Sequence, residues 1–292
     1  MTVYTYAKGK IYYQEAGSEH RGSGASYLLL HGLGGSRQQW GSIQSGLATT
    51  SHSVAVDILG FGQSRQRRFS VDAASDELSH FCESHHLERC VLVSHSIGST
   101  VAGVLAARSA GHFTRVILTS GTLFRAARIA QRPATSLRAP RLGLAVTAQF
   151  LTGMVRMPDA VRRVVAHSGP LRRLALWPFV AHPGRLDPAR LDAALEGAGS
   201  PSVLRILLDA QMIDYPRIMS SIPHPVDLVW GANDRLIDRT DLEEMRRAAN
   251  VVREHEILDC GHWPMIEKPT ELTALIRIWG RDEPSEDPRG GL

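Results

Sequence analysis

Short, uninterrupted apolar runs alternate with longer helical patterns along most of this chain, and that alternation constrains its fold more than any other feature. SYLLLHG (26–32), HSVAVD (52–57), CVLVSH (90–95), TRVILTS (114–120), PVDLVWG (225–231) and REHEILDC (253–260) read as strands. Most are apolar at successive positions, as strands buried on both faces of a parallel sheet are. Helical patterns fall between them at 36–48, 72–86, 97–110, 239–249 and 269–280. VYTYA (3–7) and KIYYQEAG (10–17), joined by Lys8-Gly9, read as an opening antiparallel hairpin. The fold class that follows is α/β, with a doubly wound, mostly parallel sheet.

One connection breaks the rhythm. From Thr122 to Pro223 no strand pattern occurs, only Arg-, Ala- and Leu-rich helical text cut repeatedly by proline from Pro133 to Pro216. Connections between neighbouring elements are ordinarily about 4–6 residues long, so this stretch reads as an inserted helical cap. The expected organisation is a core of residues 1–121 and 224–280, a cap of 122–223, and a tail, RDEPSEDPRGGL (281–292), without apolar periodicity and expected to be disordered.

At 292 residues, 43% hydrophobic and 21% charged, the chain is ordinary globular material with enough mass for a large core. Its three cysteines (Cys82, Cys90, Cys260) are far apart and in no metal-like spacing, which points to a reducing compartment. No secretory pattern opens the sequence, and the most apolar later stretch, 142–155, is shorter than the roughly 20 residues of a bilayer span. A cytoplasmic location without a membrane span is expected. The net charge of +4 is uneven: residues 122–222 hold 14 Arg, no Lys and 6 acidic residues, a local +8 against −4 elsewhere. Such a segment can attract an acidic or carrier-bound substrate, or simply form a solvated helical face. Without aromatic interleaving or a nucleic-acid motif, no nucleic-acid partner is expected.

The apolar run CVLVSH leads into Ser94-His95-Ser96-Ile97-Gly98 and then a helical pattern, the strand–turn–helix setting of a nucleophile elbow. So tight a turn needs almost no side chain two positions before and two after the nucleophile. Counting back from Gly98 gives Ser96 as the nucleophile, with Ser94 in the slot where glycine is usual. Ser94 itself would need small residues at 92 and 96, and residue 92 is Leu. Ser99 falls in the helix, where it can pack or bond back to the turn before it.

Together with four further motifs, the sequence resembles the α/β-hydrolase superfamily, in its cap-bearing group of esterases, C–C bond hydrolases and cofactor-free haloperoxidases. HGLGGS (31–36) resembles the family's oxyanion loop, DILGFGQS (57–64) its turn after the next strand, WGANDRLI (230–237) its acid loop and CGHWPMIEKP (260–269) its histidine loop. They occur in the family's order and cover nearly the whole chain.

The resemblance implies roles that chemistry supports. A serine hydroxyl needs a base to take its proton, and His262, between Gly261 and Trp263, fits that part. The base needs an acid to fix its tautomer, and Asp234, three residues past Gly231 at a strand end, fits that one. Asp57, before Gly60-Phe61-Gly62, reads as a turn stabiliser, and TSGTLF (119–124) offers no carboxylate. The backbone N–H groups of Leu33 and Ile97 are the expected oxyanion hole. His31 reads as loop-shaping and His95 as packing beside the nucleophile; both also stand as candidate pocket residues with Met154, Trp177 and Trp263. Met157 and Phe179 are further wall candidates in the cap.

Ser96 argues against the Asp-nucleophile dehalogenases and epoxide hydrolases of this superfamily. No His, Cys or carboxylate set has ligand spacing, so neither metal nor cofactor is expected. The reading is a serine hydrolase acting on an ester, thioester or lactone of a largely hydrophobic small molecule. The alternatives are a C–C hydrolase or perhydrolase with the same three residues, and a non-hydrolytic ligand-binding, cyclase or lyase member of the fold.

Overall fold

The computed structural model describes residues 2–6, 9–65 and 68–281. Eight strands form one sheet: β1 (Thr2–Tyr6), β2 (Gly9–Ala16), β3 (Ser26–Leu30), β4 (His52–Val56), β5 (Cys90–His95), β6 (Phe113–Thr119), β7 (Val226–Gly231) and β8 (Val251–Ile257). Their order is β1-β2-β4-β3-β5-β6-β7-β8. The β1/β2 and β2/β4 pairs are antiparallel and all later pairs parallel, as the hairpin and the continuous apolar runs predict. The Lys8 turn and the tail from 282 onward lie outside the described residues. Arg281, the first residue assigned to the tail, instead closes a helix.

Successive residues of one strand feed opposite faces of the sheet, which is why these runs are apolar throughout. Leu28, Leu30, Leu92, Val116, Leu118 and Leu228 belong to one buried cluster. Their neighbours Leu29, Val91, Val93, Ile117 and Val229 belong to another. The helices α1 (Gly41–Leu47), α2 (Val71–Ser84) and α3 (Gly98–Arg108) follow β3, β4 and β5. Between β6 and β7 the chain is helical: α4 (Phe124–Gln131), α5 (Pro140–Met154), α6 (Asp159–His167), α7 (Gly169–Leu176), α8 (Pro188–Ala194), α9 (Ser202–Asp209) and α10 (Tyr215–Ser220). After β7 come α11 (Arg239–Ala248), then β8, α12 (Pro264–Glu267) and α13 (Pro269–Arg281). Among the described residues no helix is long and apolar enough to cross a membrane.

Two buried ion pairs brace this frame. Arg115 on β6 meets Asp227 on β7 at 2.9 Å, with side chains 3% and 0% exposed. Asp57, past β4, accepts from the Arg37 guanidinium, from Arg37 N at 2.7 Å and from Gln63 N at 2.8 Å. Asp57 thus holds the 57–64 turn against the glycine-rich loop, the turn-stabilising part expected of it.

Candidate active site

β5 delivers Ser96 into a turn at φ +50°, a left-handed conformation that L side chains resist and that packing must hold. The two positions the tight turn keeps small are buried. A Cβ on Gly98 would lie 2.5 Å from the carbonyl oxygen of His31, so only glycine fits. Ser94 fills the other slot, fully buried, and its Oγ has no hydrogen-bond partner among the described residues. Ser99 does more than pack: its Oγ is 3.1 Å from Tyr215 Oη. The Tyr215 hydroxyl donates to Gly121 O and accepts from Leu123 N, tying α10 to the end of β6.

His262 Nε2 lies 2.9 Å from Ser96 Oγ, and His262 Nδ1 lies 2.8 Å from Asp234 Oδ2. All three side chains come from loops at the carboxyl ends of strands, after β5, β7 and β8. Asp234 spends its other oxygen on Leu236 N at 2.8 Å, leaving Oδ2 for the imidazole. An ionised Asp234 makes Nδ1 the protonated nitrogen, so Nε2 accepts the Ser96 proton. Both His262 and Asp234 are buried, at 0% and 1% side-chain exposure.

His262 is held at its backbone as well. Its N–H donates to Phe179 O at 2.6 Å, and its carbonyl accepts from His95 Nε2 at 2.8 Å. Burial holds the His95 imidazole well below the usual histidine range, so it is neutral and Nε2 carries its single proton. A Cβ on Gly32 would sit 2.5 Å from His95 Nδ1, which fixes how closely the glycine-rich loop passes the elbow. His31 donates from Nδ1 to Gly32 O at 2.8 Å and accepts Ile58 N at Nε2, the loop-shaping part expected of it.

Glu267 was not singled out from sequence. It closes α12, the short helix just after His262, and its Oε1 accepts from Gly261 N at 2.9 Å and Trp263 N at 3.3 Å. Its Oε2 accepts from Ala181 N at 2.8 Å. Arg235, beside Asp234, donates to Trp177 O at 2.9 Å and lies over the Trp177 ring. The 177–181 segment of the helical insertion therefore grips both the acid loop and the histidine loop.

Two cavities meet at this site. The first has walls that include Ser96, Leu33 and Ile97. Its other walls are mostly apolar, chiefly Ala126, Ala127 and Ala130 of α4 with Val146 and Phe150 of α5, and Thr100, Gln149 and Tyr215 also line it. The amides of Leu33 and Ile97 donate to no acceptor among the described residues. The second cavity runs past His95 and Trp263 toward Phe179, Met157 and Val155. Met154 packs on the core instead, Trp177 lies on the surface at 52% exposure, and His31 is buried outside both cavities. The α4 wall was missed in the sequence, although residues 123, 126, 127 and 130 keep the spacing of one helical face.

A family model described as "Alpha/beta hydrolase family" matches residues 27–275. The chain belongs to this family. Among its relatives is the pimeloyl-[acyl-carrier protein] methyl ester esterase of Aromatoleum aromaticum, 28% identical over 258 residues, 85% of this chain and 95% of that protein. Another is monoacylglycerol lipase abhd6-B of Xenopus laevis, 25% identical over 297 residues, 93% of this chain and 79% of that one. The crystal structure of the enol-lactonase from Burkholderia xenovorans superposes with a TM-score of 0.65 at 16% identity, over 94% of this chain and 98% of that one. At that identity the superposition speaks for the shared alpha/beta hydrolase fold alone.

Proposed function

We propose that this alpha/beta hydrolase is a serine hydrolase that cleaves an ester, thioester or lactone of a largely hydrophobic small molecule through an acyl-Ser96 intermediate. The observation that carries the reading is the unbroken Ser96–His262–Asp234 hydrogen-bonded chain at the floor of an apolar cavity. Ser96 Oγ attacks the acyl carbon while His262 Nε2 takes its proton, and Asp234 stabilises the imidazolium. The developing oxyanion accepts from the free amides of Leu33 and Ile97; one such donor is worth about 10²–10³ in rate. His262 then protonates the leaving alcohol or thiol, and a water, deprotonated by the same nitrogen, releases the acid.

The acyl portion lies in the first cavity, where Ile97 and α4 offer only apolar contact. The helical insertion serves as the cap that closes both cavities over Ser96. Two curated relatives named for acyl ester hydrolysis agree with an acyl substrate.

The test is labelling by a fluorophosphonate probe together with turnover of p-nitrophenyl esters of graded chain length. Wild type is expected to label and turn over, and Ser96→Ala to do neither. Full activity in Ser96→Ala sinks the reading. Turnover of a ring-fission dienoate without any ester hydrolysis replaces it with C–C bond chemistry.

A further inference from the structure

Sixteen large apolar side chains are exposed among the described residues, and twelve of them lie in the insertion between β6 and β7. Scattered exposed leucines need no explanation, but this concentration does. On α5, Leu144 and Leu151 are seven residues apart, which places them on one side of the helix, and Val155 follows just past its end. On α6 and α7, Val164 and Leu174 are 57% and 79% exposed, while the next residues, Val165 and Ala175, line the second cavity. That cavity comes to the surface at Val155, itself 68% exposed. Val155, Val164 and Leu174 therefore lie at or next to the walls of the cavity that reaches His95 and Trp263 beside the candidate active site.

Arginines are interleaved with them. Arg141, Arg156 and Arg163 are exposed and make no ion pair among the described residues. The acid on this face, Asp159, already faces Arg162 at 3.5 Å. Trp177, half-exposed at the margin, has the amphipathic ring that favours a membrane–water interface. Apolar side chains beside unpaired cations on helices fit the interfacial zone of a bilayer with anionic headgroups.

We propose that this face of α5, α6 and α7 docks on an anionic phospholipid bilayer and opens the second cavity toward it. The fit is one of charge: three free guanidinium groups meet the headgroups while Leu151, Val164 and Leu174 enter the acyl boundary. The inference goes beyond the hydrolytic reading and does not require it.

The experiment is flotation of the whole chain with vesicles of phosphatidylglycerol and, separately, of phosphatidylcholine. Binding to the anionic vesicles alone is expected, weakening as salt is added. R156A/R163A should lose about fivefold in partition per arginine removed. V164D/L174D should abolish flotation while keeping wild-type turnover of a soluble short-chain ester, which shows that it is folded. Absence of binding to phosphatidylglycerol overturns the proposal, as does equal binding to both vesicle types or binding unchanged in both variants. A concentration-dependent dimer that V164D/L174D disperses, without vesicle binding, assigns the face to a second copy instead. Flotation by a wild type that hydrolyses no ester leaves docking intact and removes only the hydrolytic reading.

Discussion

The carbonyl of Phe179 accepts the backbone N–H of His262 at 2.6 Å, so the imidazole beside Ser96 hangs from the helical insertion as well as from the sheet. Glu267 reinforces the link, since one carboxylate holds the amides of Gly261 and Trp263 on one side and of Ala181 on the other. Motion of the 177–181 segment is thereby motion of the proposed base.

Glu267→Gln should lower kcat by about 10- to 100-fold with little change in KM, because misplacing a catalytic group by about an ångström costs that much. An amide offers one oxygen where three N–H groups now share two. Steady-state kinetics on a soluble ester, beside a melting curve showing the variant folded, checks this. An unchanged kcat would leave Glu267 a purely structural clamp.

Burial pushes the Glu267 and Asp241 carboxyls up to about 7, against the N–H groups that hold them. A carboxyl raised in the folded state gives stability that is complete below its unfolded pKa and lost as pH rises through the folded one. The Tm of wild type should therefore carry a falling component between about pH 4.5 and 7. Glu267→Gln removes one of the two contributors, so its Tm should fall less steeply over that window. An identical slope in the two proteins would be inconsistent with this.

Arg115 and Asp227 are both buried, on the neighbouring strands β6 and β7. Arg115→Met removes this guanidinium from beside the carboxylate and should lower the midpoint of urea denaturation. The double change Arg115→Met/Asp227→Leu should recover most of that loss. A double variant no better than the single would mean that the pair contributes through more than its charges.

Ala127 lines the first cavity from α4. Ala127→Phe should shorten the acyl chain accepted, lowering kcat/KM for long p-nitrophenyl esters while sparing the acetate. The expected loss is about fourfold for each methylene displaced, from about 0.8 kcal/mol of apolar burial apiece. An even loss at all chain lengths would place the acyl group elsewhere.

The parallel strands from β3 to β7 were legible because a strand buried on both faces leaves a continuous apolar run, as in Leu28-Leu29-Leu30, and the turns between carry their own chemistry. Ser96, Asp234 and His262 were legible for a related reason: each lies in a strand-end loop whose glycines restrict the backbone. The cavity walls were much less so. Ala126, Ala127 and Ala130 are as unremarkable in sequence as any helical alanine, and only the docking of α4 over Ser96 makes them a wall. Trp177 was misjudged because a large aromatic in apolar text reads as interior, whereas it lies outside under Arg235. Glu267 escaped notice because its partners are backbone groups, one of them in the distant 177–181 segment, which no local pattern encodes.

β6 and β7 are neighbours in the sheet, with Val116 paired to Val226 and Thr119 to Val229. Because the pair is parallel, the residues between them leave at the carboxyl end of β6, beside Val229, and return at the amino end of β7, beside Val116. Lengthening or exchanging that insertion alters loop closure only slowly with length and leaves every strand register unchanged. On the proposed reading, the roof over Ser96 is a separable part: exchanging it changes selectivity and leaves Ser96, Asp234 and His262 in place, provided that the new roof still offers a carbonyl to His262.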